Sequence, residues 1–241
     1  MRLPFFNILY PPKQKGLKSG YRLWIWLVLL GLLTAMPGTE SWAKRQKRAK
    51  LFGARETRSN NIKPFKKWRG ALDRYTKKKA LQSGSCKENL FNKCHYQKWN
   101  AFLDKIRNKK PEEQIRDVNT YFNAVGYITD QRNWGVKDYW EAPDEFLGKK
   151  GDCEDFSIIK YLSLRRLGFK EKQLRVVTVQ DTNLQVGHAI LAVYLNDRIL
   201  ILDNQIKQVA DHTSIHHYRP IFSINEKSWW RHRVAKTPSR R

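Results

Sequence analysis

The sequence predicts an α+β fold, with helices first and then a cysteine-bearing helix laid against an antiparallel sheet. Apolar residues recur at helical spacing through residues 65–123, and again after Cys153. Beyond Gly168 the period changes to that of strands, and Asn196-Asp197 gives a two-residue hairpin turn between two apolar runs. The chain has 241 residues, 41% of them apolar and 12% aromatic, enough for one substantial core; nothing in it points to a second one.

Residues 1–43 read as a secretory signal. Arg2, Lys13, Lys15, Lys18 and Arg22 precede the apolar run Leu23 to Leu33, which is short for a membrane span, and Ser41-Trp42-Ala43 places small residues for cleavage after Ala43. This predicts a periplasmic protein, with an uncleaved inner-membrane anchor as the alternative. Residues 44–64 are basic, polar and aperiodic and read as a flexible leader. Helical patterns follow at Phe65 to Leu81, Gln97 to Asn108 and Pro111 to Asn123, the last opened by Pro111, Glu112 and Glu113, which suit a helix N-terminus. Tyr127 to Glu145 is aromatic-rich and reads as core packing or as the wall of a peptide groove.

The segment Gly151-Asp152-Cys153-Glu154-Asp155-Phe156 opens the next helix, whose apolar residues Phe156, Ile159, Leu162 and Leu167 run to a stop at Gly168. Asp152 suits the N-cap, and Cys153 falls in the first turn, where the helix dipole favours a thiolate. Asp152, Glu154 and Asp155 oppose that effect, because like charge raises a thiol pKa; a cation is expected to offset them. Leu174 to Val179, His188 to Leu195 and Arg198 to Leu202 then read as strands. If Leu195 pairs with Arg198, Asp203 falls opposite Ile190 and diagonal to His188 on the same face, within hydrogen-bonding reach. Cys153, His188 and Asp203 would then form a triad: a carboxylate fixing an imidazole tautomer, and an imidazole taking the thiol proton. The remainder, residues 226–241, reads as a basic tail.

Export permits a disulfide, and Cys86 with Cys94 is the pair expected, leaving Cys153 free; two reduced buried cysteines, or a metal site with His95, are the other readings. The net charge of +25 lies outside the centre of the chain, since residues 118–210 carry twelve charges of each sign. A neutral centre with basic flanks suits a globular catalytic unit near an anionic envelope surface and argues against a nucleic-acid partner.

Asp138-Tyr139-Trp140, Pro143, Glu145-Phe146-Leu147 and Gly151 to Phe156, with Gly187-His188-Ala189 and Leu202-Asp203-Asn204 downstream, resemble the bacterial transglutaminase-like cysteine proteinases over about residues 60 to 225. The resemblance implies a papain-like, transglutaminase-core fold across residues 65–225, with Cys153 as nucleophile, His188 as general base and then acid, and Asp203 as its orienter. It also implies calcium, held by Asp152 and Glu154, with Asp155 a further ligand. Carboxylate oxygens suit that ion. The implied substrate is a large surface adhesin, cleaved to control attachment and biofilm, and the implied partner a membrane receptor responsive to cyclic di-GMP. The chemistry expected is peptide hydrolysis, with the Cys153 N–H holding the oxyanion and Trp134 a second donor. A transglutaminase-like acyltransferase and a noncatalytic envelope- or peptide-binding module are the alternatives.

Overall fold

The computed structural model describes residues 50–78, 87 and 94–233. Six helices occur there: α1 (Lys66–Lys77), α2 (His95–Ile106), α3 (Pro111–Asn123), α4 (Asp130–Trp134), α5 (Pro143–Lys149) and α6 (Cys153–Arg166). Seven strands accompany them: β1 (Arg55–Ser59), β2 (Leu174–Asp181), β3 (Val186–Leu195), β4 (Arg198–Leu202), β5 (Ala210–Asp211), β6 (Tyr218–Ile224) and β7 (Trp229–Arg233). They form one antiparallel sheet in the order β1-β7-β6-β2-β3-β4-β5.

Strand alternation gives the sheet two apolar faces. Leu174, Val176, Leu191, Val193, Leu200 and Leu202 pack into the main core with α6 and the other helices. Val177, Val179, Ile190, Ala192, Ile199 and Ile201 form a second cluster on the opposite face with Leu51, Ile215 and Tyr218. Because α6 is wrapped by the sheet and by other helices, it is buried from Asp155 through Leu164 and carries no broad polar face. Gly168 at φ +100 ends it, a conformation that costs glycine no Cβ clash.

The hairpin is the one the sequence predicts. Asn196 and Asp197 take φ 48 and 62, as a type I′ turn requires, and the register runs from Leu195↔Arg198 to Leu191↔Leu202.

The expected flanks are corrected by the sheet. Residues 51–59, read as leader, form a turn and edge strand β1; residues 229–233, read as tail, form β7, which pairs with β1 from Arg55↔Arg233 to Ser59↔Trp229. The β1 sequence RETRS is almost entirely exposed, so it has no apolar alternation by which a strand could be read. Helix α1 ends at Lys77, short of the expected Leu81, and residues 79–86 lie outside the described ones. So do the signal segment 1–43 and Cys86, and with Cys86 the expected pairing to Cys94. Among the described residues no helix is long and apolar enough to cross a membrane.

Candidate active site

Cys153 is the first residue of α6, preceded by Asp152 at the N-cap. The turn is held by Asp155, whose Oδ2 accepts the Asp152 N–H at 3.0 Å and whose Oδ1 accepts the Glu141 N–H at 2.7 Å. Asp155 is fully buried and leaves no room on Gly151, where a Cβ would sit 2.4 Å from Asp155 Oδ2. Glycine is therefore required at 151 by close approach rather than by backbone angle. Gly151 in turn anchors the loop before α4, through a bridge to Tyr127 and an Ile128 N–H bond to its carbonyl at 3.0 Å.

The thiol is pulled two ways. Burial pushes the Cys153 pKa up, as do the charge and hydrogen bond of Glu154 and the charge of Asp152, while a hydrogen bond from the Ala189 N–H favours the thiolate. In this arrangement Cys153 Sγ donates to Glu154 Oε2 at 3.1 Å. The Ala189 contact also places the sulfur at the residue that follows His188.

His188 and Asp203 meet as the hairpin register predicts. Nε2 of His188 lies 2.9 Å from Asp203 Oδ1, and both residues are buried. Asp203 also accepts the Gln205 N–H on Oδ1 at 2.8 Å and the Tyr218 hydroxyl on Oδ2 at 2.7 Å. Burial raises its pKa, but the bonds from His188, Gln205 and Tyr218 and the charge of His188 outweigh that and hold the carboxyl below its ordinary range. With Asp203 ionised, Nε2 carries the imidazole proton, and Nδ1 is left with a lone pair, 3.5 Å from Gln205 Nε2.

Around the start of α6 the fold gathers carboxylates that lie apart in sequence. Ligand-type oxygens of Asp130, Asp138 and Glu154 lie within 4.8 Å of one another, and the same holds for Asp130, Asp152 and Asp155. Asp130 Oδ1, Asp152 Oδ1 and Glu141 Oε2 are buried with no hydrogen-bond partner. Burial and the neighbouring acids push Asp152 up to about 8 and Glu141 to about 7, and raise Asp130 and Glu154 as well. Lys67 offsets part of this charge by an ion pair with Asp138 at 2.5 Å.

All three acids expected to bind metal, Asp152, Glu154 and Asp155, belong to these clusters, and Asp155 in addition accepts a backbone N–H on each oxygen and so holds the turn. Asp130 was not singled out by sequence, and Asp138 only as part of the motif that carries the resemblance, because both sit in the segment read through its aromatics. The Trp134 indole donates to Glu141 Oε1 at 2.5 Å and its ring carries Lys149 at 3.8 Å, so it is not a free oxyanion donor. Trp140 is half-buried and helps line a cavity of about 400 Å³ with Phe65, Trp68, Asp138 and Phe222, so the aromatic segment supplies both packing and a concave wall.

Residues 76–235 match the family described as bacterial transglutaminase-like cysteine proteinase BTLCP. No curated protein matches. Solved structures do: calcium-bound Legionella pneumophila LapG at TM-score 0.56 and 29% identity, covering 65% of this chain and 87% of that one, and EGTA-treated Legionella pneumophila LapG at 0.56 and 30%, covering 68% and 87%. A further structure of Legionella pneumophila LapG matches at TM-score 0.55 and 30% identity, again covering 65% of this chain and 87% of that one. The family match takes in α6, the β3–β4 hairpin and every strand but the first. The chain therefore belongs to the bacterial transglutaminase-like cysteine proteinases, and is a cysteine protease with a transglutaminase-like fold.

Proposed function

We propose that this protein is a calcium-dependent periplasmic endopeptidase using Cys153, His188 and Asp203, and that it cleaves a large surface adhesin and so controls attachment and biofilm. The observation that carries the triad is the 2.9 Å bond from His188 Nε2 to Asp203, beside a sulfur that meets the next backbone N–H. It fixes the tautomer in which Nδ1 can accept a proton.

In the first step the Cys153 proton passes to His188 Nδ1 and the sulfur bonds to the scissile carbonyl carbon, with the Cys153 backbone N–H stabilising the oxyanion. When the intermediate collapses the C–N bond breaks, and the imidazolium gives its proton to the leaving amine. Water then attacks the thioester and gives a proton to Nδ1; the C–S bond breaks, releasing the acid product, and the imidazolium returns its proton to the sulfur.

Asp130, Asp138, Asp152, Glu154 and Asp155 fit calcium, being clustered carboxylates with two buried oxygens unpartnered, and LapG is a protein whose solved structures include a calcium-bound form. When bound, the ion supplies positive charge beside the thiol and so opposes the carboxylates that raise its pKa. Export by residues 1–43, with cleavage after Ala43, rests on the sequence, as does the Cys86–Cys94 disulfide. The adhesin substrate, and restraint by a cyclic di-GMP-responsive membrane receptor of the LapD type, rest on the family resemblance.

The test is to incubate residues 44–241 with outer-surface proteins of the host cell, with calcium or with a chelator. The expected result is a discrete cut of one large protein, dependent on calcium and absent with Cys153→Ala. Cutting that Cys153→Ala performs equally well would overturn the proposal.

A further inference from the structure

Lys160 is a lysine with no exposed surface in the middle of α6, two turns below Cys153. Its Nζ donates to Asn119 Oδ1 at 2.9 Å and to Asn123 Oδ1 at 2.6 Å. These asparagines lie one turn apart on the same side of α3. Each passes the interaction on: Asn123 Nδ2 donates to the Asp203 carbonyl at 2.7 Å, and Asn119 Nδ2 to the Lys207 carbonyl at 2.9 Å. The segment between those carbonyls belongs to no helix or strand, and it carries Gln205, whose N–H holds Asp203 Oδ1.

The chemistry of the groups fixes the direction of every bond. Burial lowers the Lys160 pKa to about 7 against the pull of the Asp203 charge, but the directions do not depend on its protonation: a backbone carbonyl only accepts, so each asparagine must turn its nitrogen to the loop and its oxygen to Lys160. A flipped amide would set NH₂ against NH₃⁺ and oxygen against oxygen. Placing a lysine in a core is costly unless its hydrogen bonds are satisfied, and an apolar residue would fill this space at less cost. The network offsets that cost only in part, so holding the loop is the effect left to explain the choice.

We propose that Lys160, Asn119 and Asn123 are positioning residues that clamp both ends of segment 203–207 from behind, keeping the Asp203 carboxylate on His188 Nε2. The inference rests on the Cys153–His188–Asp203 reading. It places part of the site's precision in α3 and α6, away from the reacting atoms.

Asn123→Asp separates this role from simple neutralisation of a buried lysine, because the carboxylate still accepts from Lys160 but cannot donate to Asp203. Three readouts apply to the full chain loaded with calcium: iodoacetamide alkylation of Cys153 at fixed pH, located by peptide mass; the NMR signal of the His188 Nε2 proton; and the thermal melting curve. Asp203→Asn serves as reference. Asn123→Asp is expected to slow alkylation at least tenfold and to shift or abolish the Nε2 proton signal, while melting within a few degrees of wild type. Asn119→Asp, which frees only the far end at Lys207, is expected to act in the same direction and less strongly. If Asp203→Asn changes both site readouts and a folded Asn123→Asp changes neither, the positioning role is overturned. If Asp203→Asn itself changes neither, the triad reading is what fails. Should Asn123→Asp fail to fold, Asn119→Asp decides alone; if neither folds, the network serves stability and the positioning claim is overturned.

Discussion

At Gly151 the side chain is absent because the Asp155 carboxylate occupies its place. Gly151→Ala should destabilise the protein by about 1–3 kcal/mol, the usual cost of overpacking, read by urea unfolding, and should slow Cys153 alkylation because Asp155 is displaced from the start of α6. Asp203→Asn should leave the fold intact and reduce peptidase turnover about 10²- to 10⁴-fold, because an amide no longer enforces the required imidazole tautomer; the comparison is kcat with wild type on one substrate. The meeting of His188 and Asp203 was legible because a two-residue turn fixes register, and register fixes which side chains share a face. Lys160 offered a signal of its own, a lysine between Ile159 and Tyr161 in a helix apolar almost all round, but its asparagine partners lie about 40 residues away and only tertiary packing brings them in. Asp130 has no such marker and Asp138 none as a ligand, and it is the approach of their segment to Gly151 that recruits them.

At the level of elements, α6 is the post on which the site is mounted. Ile159 is fully buried in the main core, so Ile159→Ala should cost about 2–5 kcal/mol, measured by denaturant unfolding. The β1–β7 pair behaves differently. His232 on β7 is buried, with Nε2 2.9 Å from Ser223 Oγ, and burial lowers its pKa to about 4 against the pull of Glu56. The folded state thus keeps His232 neutral where the unfolded chain protonates it near 6.5, so stability is complete above that pH and is lost as pH falls toward 4. The loss should be about 1–2 kcal/mol after allowing for partial solvent access, and His232→Gln should flatten the slope of stability against pH over that window. None of this edge was legible beforehand. RETRS has a strand's length without a strand's alternation, and its pairing depends on a partner about 175 residues away.

Across the whole molecule, basic flanks surround a centre of balanced charge, yet within that centre the fold concentrates six carboxylates around the start of α6, with Asp152 and Glu154 against the sulfur: Asp130, Asp138, Glu141, Asp152, Glu154 and Asp155. Left unneutralised, they oppose the thiolate that the chemistry requires. This conflict was visible in the sequence as three acids around Cys153; the other three acids, and the commitment of Asp155 to the turn, were not. Calcium is therefore expected to raise the melting temperature of wild type by several degrees when saturating, and much less for Asp152→Asn. The most direct test of the account is the rate at which iodoacetamide labels Cys153 at pH 7.5 as calcium is added. The account predicts at least a tenfold rise, reversed by chelator and lost in both Glu154→Gln and His188→Ala; a rate indifferent to calcium and to the loss of His188 would contradict it.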